Sequence, residues 1–453
     1  MNAVASLLTM ARGGGSGSFL RLLGSSAFRD VTALGFGTVL SQGILIVGAP
    51  VFLRLYQPAD FGLYSLAYGW IMLIAMLTTW KIDRLIVVVP DRFTAVRLLA
   101  SLAFLAAGAA IVVLAVAAMA GPVIGRFTTE VPDSIRLLWL APFSGLAFSI
   151  MTGLRCYSIR LKKFRLVSAA QIVRASIFVI GSVLTALVCD WTAGSGALVI
   201  LSWQIVADTA ALLLHINGNR KAVRVIVTRL GFRHSVGVLP AHVKTLGVLA
   251  TAELLGALNQ QVAVSVAIIA FGATAAGWYS FAMLAVGTPT SIVASAVSDV
   301  FNQRVSSLHA RRRPFASVVL TSTLVMALVG ILPFTLIAVL AQPALALVMG
   351  AKWVGAHVSI TILAVSNFFC FVSAVPGNIP LIVGARRFLL LWQVTRLASM
   401  AALAAAAVLA PMGYVAWLVV KVAIDSAFYV VEIAAGPVFA HATEADWRAA
   451  HLT

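Results

Sequence analysis

Apolar residues in this chain run in long stretches broken by short polar loops, rather than alternating in pairs or recurring only at every third or fourth position. Twelve of these stretches are long enough to cross a bilayer as helices, since a crossing needs about 20 predominantly apolar residues. They lie at 32–53, 61–80, 95–120, 135–154, 167–189, 194–216, 243–270, 275–300, 316–341, 355–378, 388–410 and 413–435. A thirteenth, weaker segment, Phe19 to Phe28, places Phe19, Leu22, Leu23 and Ala27 at helical spacing beside Arg21 and Arg29. It reads either as a short helix on the membrane surface or as the start of the first span. Composition supports the pattern. With 61% apolar residues, 10% charged residues and a mean hydropathy of +1.03, the chain has too little polar side chain to dissolve as a globule. The expected fold is an all-α polytopic membrane protein of about twelve transmembrane helices.

The formal net charge of +18 would suggest nucleic acid as partner in a soluble protein. Its placement points elsewhere. With the twelve spans laid out, 25 of the 32 basic residues fall in alternate loops and tails on one side, and only Arg54, Arg126, Arg136 and Lys352 on the other. Cytoplasmic loops carry such an excess, so both termini are expected in the cytoplasm and no nucleic-acid partner is expected. Residues 1–17, whose apolar run is broken by Arg12 and a Gly/Ser tract, read as a cytoplasmic tail rather than a cleaved signal. Cys156, Cys189 and Cys370 show no paired spacing and read as buried side chains.

The chain also repeats itself. Leu40-Ser41-Gln42 and Gly62-Leu63-Tyr64-Ser65 resemble Leu258-Asn259-Gln260 and Gly277-Trp278-Tyr279-Ser280, and Lys162-Lys163-Phe164 with Gln171-Ile172-Val173-Arg174 resembles Arg386-Arg387-Phe388 with Gln393-Val394-Thr395-Arg396. The offsets are 218, 215 and 222 residues. Separate chance matches would not share one offset. The repeat sets the first span opposite the seventh and the fifth opposite the eleventh, which predicts two parallel six-helix lobes around a central cavity. The expected organisation is a tail with the surface helix at 1–31, a first lobe at 32–220, a cytoplasmic linker at 221–242, a second lobe at 243–436 and a tail at 437–453.

Three cations remain inside the spans: Arg174, Arg396 and Lys421. A charge at the bilayer centre costs at least about 2.5–3.5 kcal/mol on insertion scales, so each must face protein or a watery cavity. Arg174 and Arg396 are related by the repeat. Two guanidiniums facing one lumen suit a phosphate or diphosphate, because Arg presents a planar fork of donors and stays charged. The bland alternative is neutralisation by Asp208, Glu253, Asp425 or Glu432, the first three of which would otherwise serve ion coupling; Lys421 and Asp425, four apart on one helix face, can satisfy each other. Arg54, followed by Pro58-Ala59-Asp60, is either a snorkelling anchor or part of the cavity mouth, and Gln42 and Gln260 are repeat-related lumen candidates. Pro142, Pro289, Pro333 and Pro376 fall inside spans as candidate kinks. No Walker loop and no metal-spaced His or Cys cluster is present, so no catalysis, cofactor or metal is expected.

The opening pattern Gly37-Thr38-x-x-Ser41-Gln42, then Pro50-x-x-x-Arg54-Leu55-Tyr56-x-Pro58-x-Asp60-Phe61-Gly62-x-Tyr64, resembles the Wzx-type polysaccharide flippases of the multidrug/oligosaccharidyl-lipid/polysaccharide exporter superfamily. So does the segment from Phe271-Gly272 through Gly277-Trp278-Tyr279-Ser280 to Val300-Phe301-x-Gln303-Arg304. Lys81-Ile82-Asp83 matches the family's basic-aromatic-acidic end of the second span except that Ile82 replaces the aromatic. The resemblance implies a two-lobed twelve-helix transporter of the bacterial inner membrane. Its substrate would be undecaprenyl-diphosphate-linked oligosaccharide, flipped by alternating access for O-antigen, capsule or exopolysaccharide export. The implied partners are this lipid-linked substrate, the bilayer and other polysaccharide assembly proteins, with a monomer as the default. Two rivals stand beside it: an ion-coupled drug/cation antiporter of the same superfamily, which the intramembrane cations disfavour, and a membrane polymerase or ligase, which would need a long outer loop.

Overall fold

Lipid offers no partner to backbone N–H and C=O groups, so a chain this apolar folds by satisfying them within each helix. The computed structural model describes residues 26–127, 133–188 and 195–452, and nearly all of these are helical. The first half contains α1 (Ser26–Leu55), α2 (Pro58–Thr79), α3 (Ile82–Val88), α4 (Arg92–Phe127), α5 (Asp133–Arg160), α6 (Phe164–Val188) and α7 (Ser195–Gly218). Two short helices follow, α8 (Arg220–Arg229) and α9 (Phe232–Val236). Then come α10 (Pro240–Ala282), α11 (Thr288–Ala310), α12 (Ala316–Val348), α13 (Ala356–Ser373), α14 (Ile379–Ile382), α15 (Arg386–Leu409) and α16 (Tyr414–Leu452).

Nine helical stretches among the described residues are long and apolar enough to cross a membrane. One of them, Glu253–Ala310, is 58 residues long and breaks at Gly272, whose φ of 87° only glycine adopts without strain. It therefore holds the seventh and eighth spans. With α5 at 28 residues and α16 at 39, both long enough to cross, the total reaches the expected twelve.

Some boundaries differ from the sequence reading, for identifiable reasons. The tenth span was expected to reach 378, but α13 stops at Ser373 and a 3-10 turn, Pro376–Asn378, follows; Pro376 supplies no N–H to continue the helix. The eighth span, expected from 275 without interruption, contains a π turn at Met283–Gly287 just before Pro289. Residues 221–242, expected as a linker, include α8 and α9. The surface-helix candidate falls mostly outside the described residues, and α1 begins at Ser26. Residues after 436, expected as a tail, continue α16 to Leu452. There Glu444 accepts hydrogen bonds from the Phe315 and Ala316 amides at 2.6 and 2.7 Å, capping the orphan donors that begin α12.

The described residues divide into two compact units: 26–55, 74–127, 133–188 and 198–246, and 56–73, 195–197 and 247–452. In the first, α1 lies close on α6. A Cβ on Gly37 would strike Ser168, and one on Gly48 would come within 2.5 Å of Val179, the small-residue contact by which membrane helices approach without a hydrophobic drive. A cluster around Ile86, Leu98, Leu99, Leu102 and Leu154 extends to Ala222 of α8 and to Leu230. In the second unit, the start of α2 meets the end of α10 so closely that a Cβ on Gly62 would strike the Ala273 carbonyl and one on Gly277 the Pro58 carbonyl. These are the repeat-related glycines of the sequence, packed as a pair.

Candidate functional site

The intramembrane cations occupy two clusters, one per unit. In the first, α6 carries Arg174 toward α7, where its Nε donates to Oδ1 of Asp208. Gln204, one turn before Asp208 on α7, donates to the same oxygen at 3.1 Å. Asp208 is fully buried, whereas the Arg174 side chain keeps 31% of its exposure. The Phe148 ring of α5 lies 5.9 Å from the guanidinium carbon. The second oxygen of Asp208 is buried with no hydrogen-bond partner, a costly arrangement for a carboxylate.

The second cluster is built on one face of α16, where Lys421, Asp425 and Tyr429 stand four residues apart. Arg396 of α15 donates to Asp425 Oδ1 through Nη2 at 2.6 Å and Nε at 3.2 Å, and to the Tyr429 hydroxyl at 3.0 Å. Lys421 donates to the other oxygen, Oδ2, at 2.6 Å. Aromatic faces close the cluster: Trp392 and Tyr429 lie 5.3 and 4.8 Å from the Arg396 guanidinium, and Tyr279 lies 5.4 Å from the Lys421 ammonium. Such faces attract cations, the more so where water is excluded. Arg396 and Lys421 thus share the Asp425 carboxylate, with side-chain exposures of only 12% for Arg396 and 7% for Lys421, and Glu432, seven residues after Asp425 on α16, is a second carboxylate within electrostatic reach of Arg396.

Each repeat-related arginine therefore meets an aspartate on the next span, and Asp208 and Asp425 lie 217 residues apart, the period of the repeat. The preceding glutamines follow suit. Gln171 accepts a hydrogen bond from Thr38 of α1 at 3.3 Å, while Gln393 lies 3.9 Å from where a Cβ of Gly256 on α10 would stand. Thr38 and Gly256 are 218 residues apart.

The other sequence candidates do not join these clusters. Arg54 is exposed in the last turn of α1, Gln42 is half-buried in α1, and Glu253 is half-buried in α10. Gln260 is exposed on α10; its neighbour Gln261 is buried and donates to the Leu66 carbonyl at 2.9 Å. Sequence reasoning missed Gln204, Tyr279, Trp392 and Tyr429. For Gln204 and Tyr429 the signal was present, since each sits one helical turn from an aspartate already singled out.

A model of the polysaccharide biosynthesis protein family matches residues 51–358, more than half of the 453-residue chain. The chain belongs to that family. No curated protein matches it in a sequence comparison. Solved structures share the fold of this polysaccharide biosynthesis protein at low identity. An inward-facing multidrug resistance MATE family transporter of the MOP superfamily aligns at 12% identity over 89% of this chain and 95% of its own, with a TM-score of 0.62. An outward-facing one aligns at 14% over 94% and 98%, with a TM-score of 0.54. A mutant of the Vibrio cholerae MATE transporter VcmN aligns at 16% over 90% and 95%, with a TM-score of 0.54.

Proposed function

We propose that this polysaccharide biosynthesis protein is a non-enzymatic flippase that moves undecaprenyl-diphosphate-linked oligosaccharide across the bacterial inner membrane by alternating access, from the cytoplasmic to the periplasmic leaflet. The observation that carries the reading is the pair of buried cations in the second cluster, Arg396 and Lys421, gathered on Asp425. Two cations held together suit an anionic diphosphate, since Arg and Lys supply a fork and a point charge for phosphate oxygens. Family membership in polysaccharide biosynthesis supplies the sugar. Arg174, paired with Asp208, is retained as a lumen candidate, as are Arg54, Gln42 and Gln260.

Lys421→Met tests this. It removes one of the two cations and leaves the Arg396–Asp425 pair in place. With variant and parent present at equal levels in the membrane, surface glycan falls and the lipid-linked intermediate accumulates on the cytoplasmic leaflet. Export equal to the parent overturns the reading.

One observation favours the rival, an ion-coupled antiporter: the second oxygen of Asp208 is buried without a hydrogen-bond partner among the described residues, an acceptor left open within the span. On that reading Asp208→Asn abolishes export of a cationic drug and leaves glycan untouched.

A further inference from the structure

The segment from Arg220 to Lys244 contains six basic residues, and no Asp or Glu occurs between Asp208 and Glu253. Its helix α8 is two-faced. Ala222 and the following Leu230 are buried in the α3–α4–α5 core, with Val223 and Ile226 packed against it. Arg220, Lys221, Arg224 and Arg229 are exposed. The next helix, α9, is fixed to α4: Arg97 donates to the His234 carbonyl at 3.0 and 2.6 Å, Ser101 to the Ser235 carbonyl at 2.7 Å, and the Phe104 and Phe232 rings meet at 5.7 Å. The cations are thus presented on a rigid support, interleaved with exposed Val227 and Phe232.

Beside them the same core carries an open hollow of about 490 Å³, lined by Val87, Val88, Val89, Pro90, Arg92, Arg160 and Leu161. Arg160 crosses beneath it, donating to the carbonyls of Ile86, Val87, Val89 and Pro90 at the end of α3. Arg92 is exposed at its rim, next to exposed Val88 and Phe93. The neighbouring carboxylate, Asp91, is occupied with capping α4, accepting the Thr94 amide at 2.6 Å.

We propose that this face of the first unit, the Val87–Arg92 hollow with the exposed cations of α8 and α9, is a binding site for the anionic phospholipid headgroups of the adjacent leaflet. A headgroup phosphate sits by Arg92 over the Arg160 guanidinium. Its acyl chains run along Val87, Val88 and Phe93, and further headgroups meet Arg220, Lys221, Arg224, Arg229 and Arg233. Exposed apolar side chains set among cations are what an in-plane helix at the headgroup boundary requires, and basic groups there attract anionic lipid. Free phosphate would use the arginines but not the valines and phenylalanines.

The test is made on the full chain in phosphatidylcholine vesicles, with spin-labelled phosphatidylglycerol or phosphatidylcholine as probe, reading the fraction of label immobilised at the protein. Wild type prefers phosphatidylglycerol, and the preference falls as sodium chloride rises. Each cation removed lowers it by about fivefold at low salt. Arg92→Gln with Arg224→Gln and Arg229→Gln abolishes most of the preference, the corresponding Lys replacements keep it, and Arg311→Gln with Arg312→Gln and Arg313→Gln, in the other unit, leaves it intact. Equal immobilisation of both labels overturns the proposal. So does an equal loss in the Arg311–Arg313 variant, which would mean diffuse charge rather than a site. Removal of the preference by inorganic phosphate at constant ionic strength overturns it as well, in favour of a free anion. If the Gln variant fails to insert, the wild-type salt dependence and the Lys variant still decide.

Discussion

The two charged clusters share a plan and differ in balance. In the first unit one arginine faces one aspartate, the pair is neutral, and the arginine remains partly exposed. In the second, the equivalent arginine and aspartate are joined by Lys421, closed by Tyr279, Trp392 and Tyr429, with Glu432 further along α16 within electrostatic reach of Arg396. Duplication explains what is common, an arginine-to-aspartate brace between neighbouring spans. It does not explain the added lysine. A buried ion pair is weak evidence for stability, because desolvation offsets the attraction, yet breaking one by removing a single partner is strongly destabilising. Lys421 brings a second buried cation to the Asp425 carboxylate, and on the flippase reading that second cation serves the anionic ligand.

The widest gap between the clusters should appear on removing the carboxylate. Asp425→Asn takes from Arg396 and Lys421 the carboxylate to which both donate, and a loss of about 3–5 kcal/mol is expected. Thermal unfolding in detergent should show it as a large drop in Tm. Adding Lys421→Met should recover part of the loss, and the double-mutant cycle should give a coupling of more than about 0.5 kcal/mol. If Asp425→Asn unfolds like the parent, the triad is not a buried charge cluster.

Asp208→Asn should cost less, about 1–2 kcal/mol, because Arg174 keeps part of its exposure and can reach toward water, as long cationic side chains do. Equal losses at Asp208 and Asp425 would break the comparison. Lys421→Met is expected to do the reverse of Asp425→Asn. It makes the second cluster resemble the first, changes stability by less than about 1 kcal/mol, and lowers glycan export.

Much of this fold was legible in the chain, because a bilayer enforces one rule on every span and the apolar runs report it directly. The breaks were readable between the seventh and eighth spans, where Gly272 falls, and at Pro289 and Pro376, which stand out as candidate kinks; the π turn before Pro289 and the end of α13 at Ser373 were not. The charged clusters were less visible. Arg174 and Arg396 stood out by their cost, and Lys421–Asp425 by its spacing, but the pairing of each arginine with the next span depends on how helices rotate against each other, which periodicity in an all-apolar helix does not encode. The contact of Gln261 with the Leu66 carbonyl, beside the repeat-related Gln260, was hidden for the same reason. The C-terminal helix was read as a tail because its charges suit water, and Glu444 is buried there because the start of α12 supplies two amides to it.

The smallest expected effect separates the two glutamines that precede the arginines. Gln171 accepts the Thr38 hydroxyl at 3.3 Å, so Gln171→Leu removes a hydrogen bond worth about 0.5–1.5 kcal/mol. Gln393, its repeat partner, meets Gly256 instead of a hydroxyl, and its Oε1 is buried without a partner. A buried polar atom with nothing to bind costs more than an apolar one of the same shape, so Gln393→Leu should leave Tm unchanged or raise it slightly. The opposite order would mean that Gln393 finds its partner in a bound anion or water beside Arg396. Repeating the measurement with Gly256→Ser decides the geometry. A hydroxyl introduced at that position reaches toward Gln393 and recreates the Thr38–Gln171 contact, so the serine variant should regain the sensitivity to Gln393→Leu that the parent lacks.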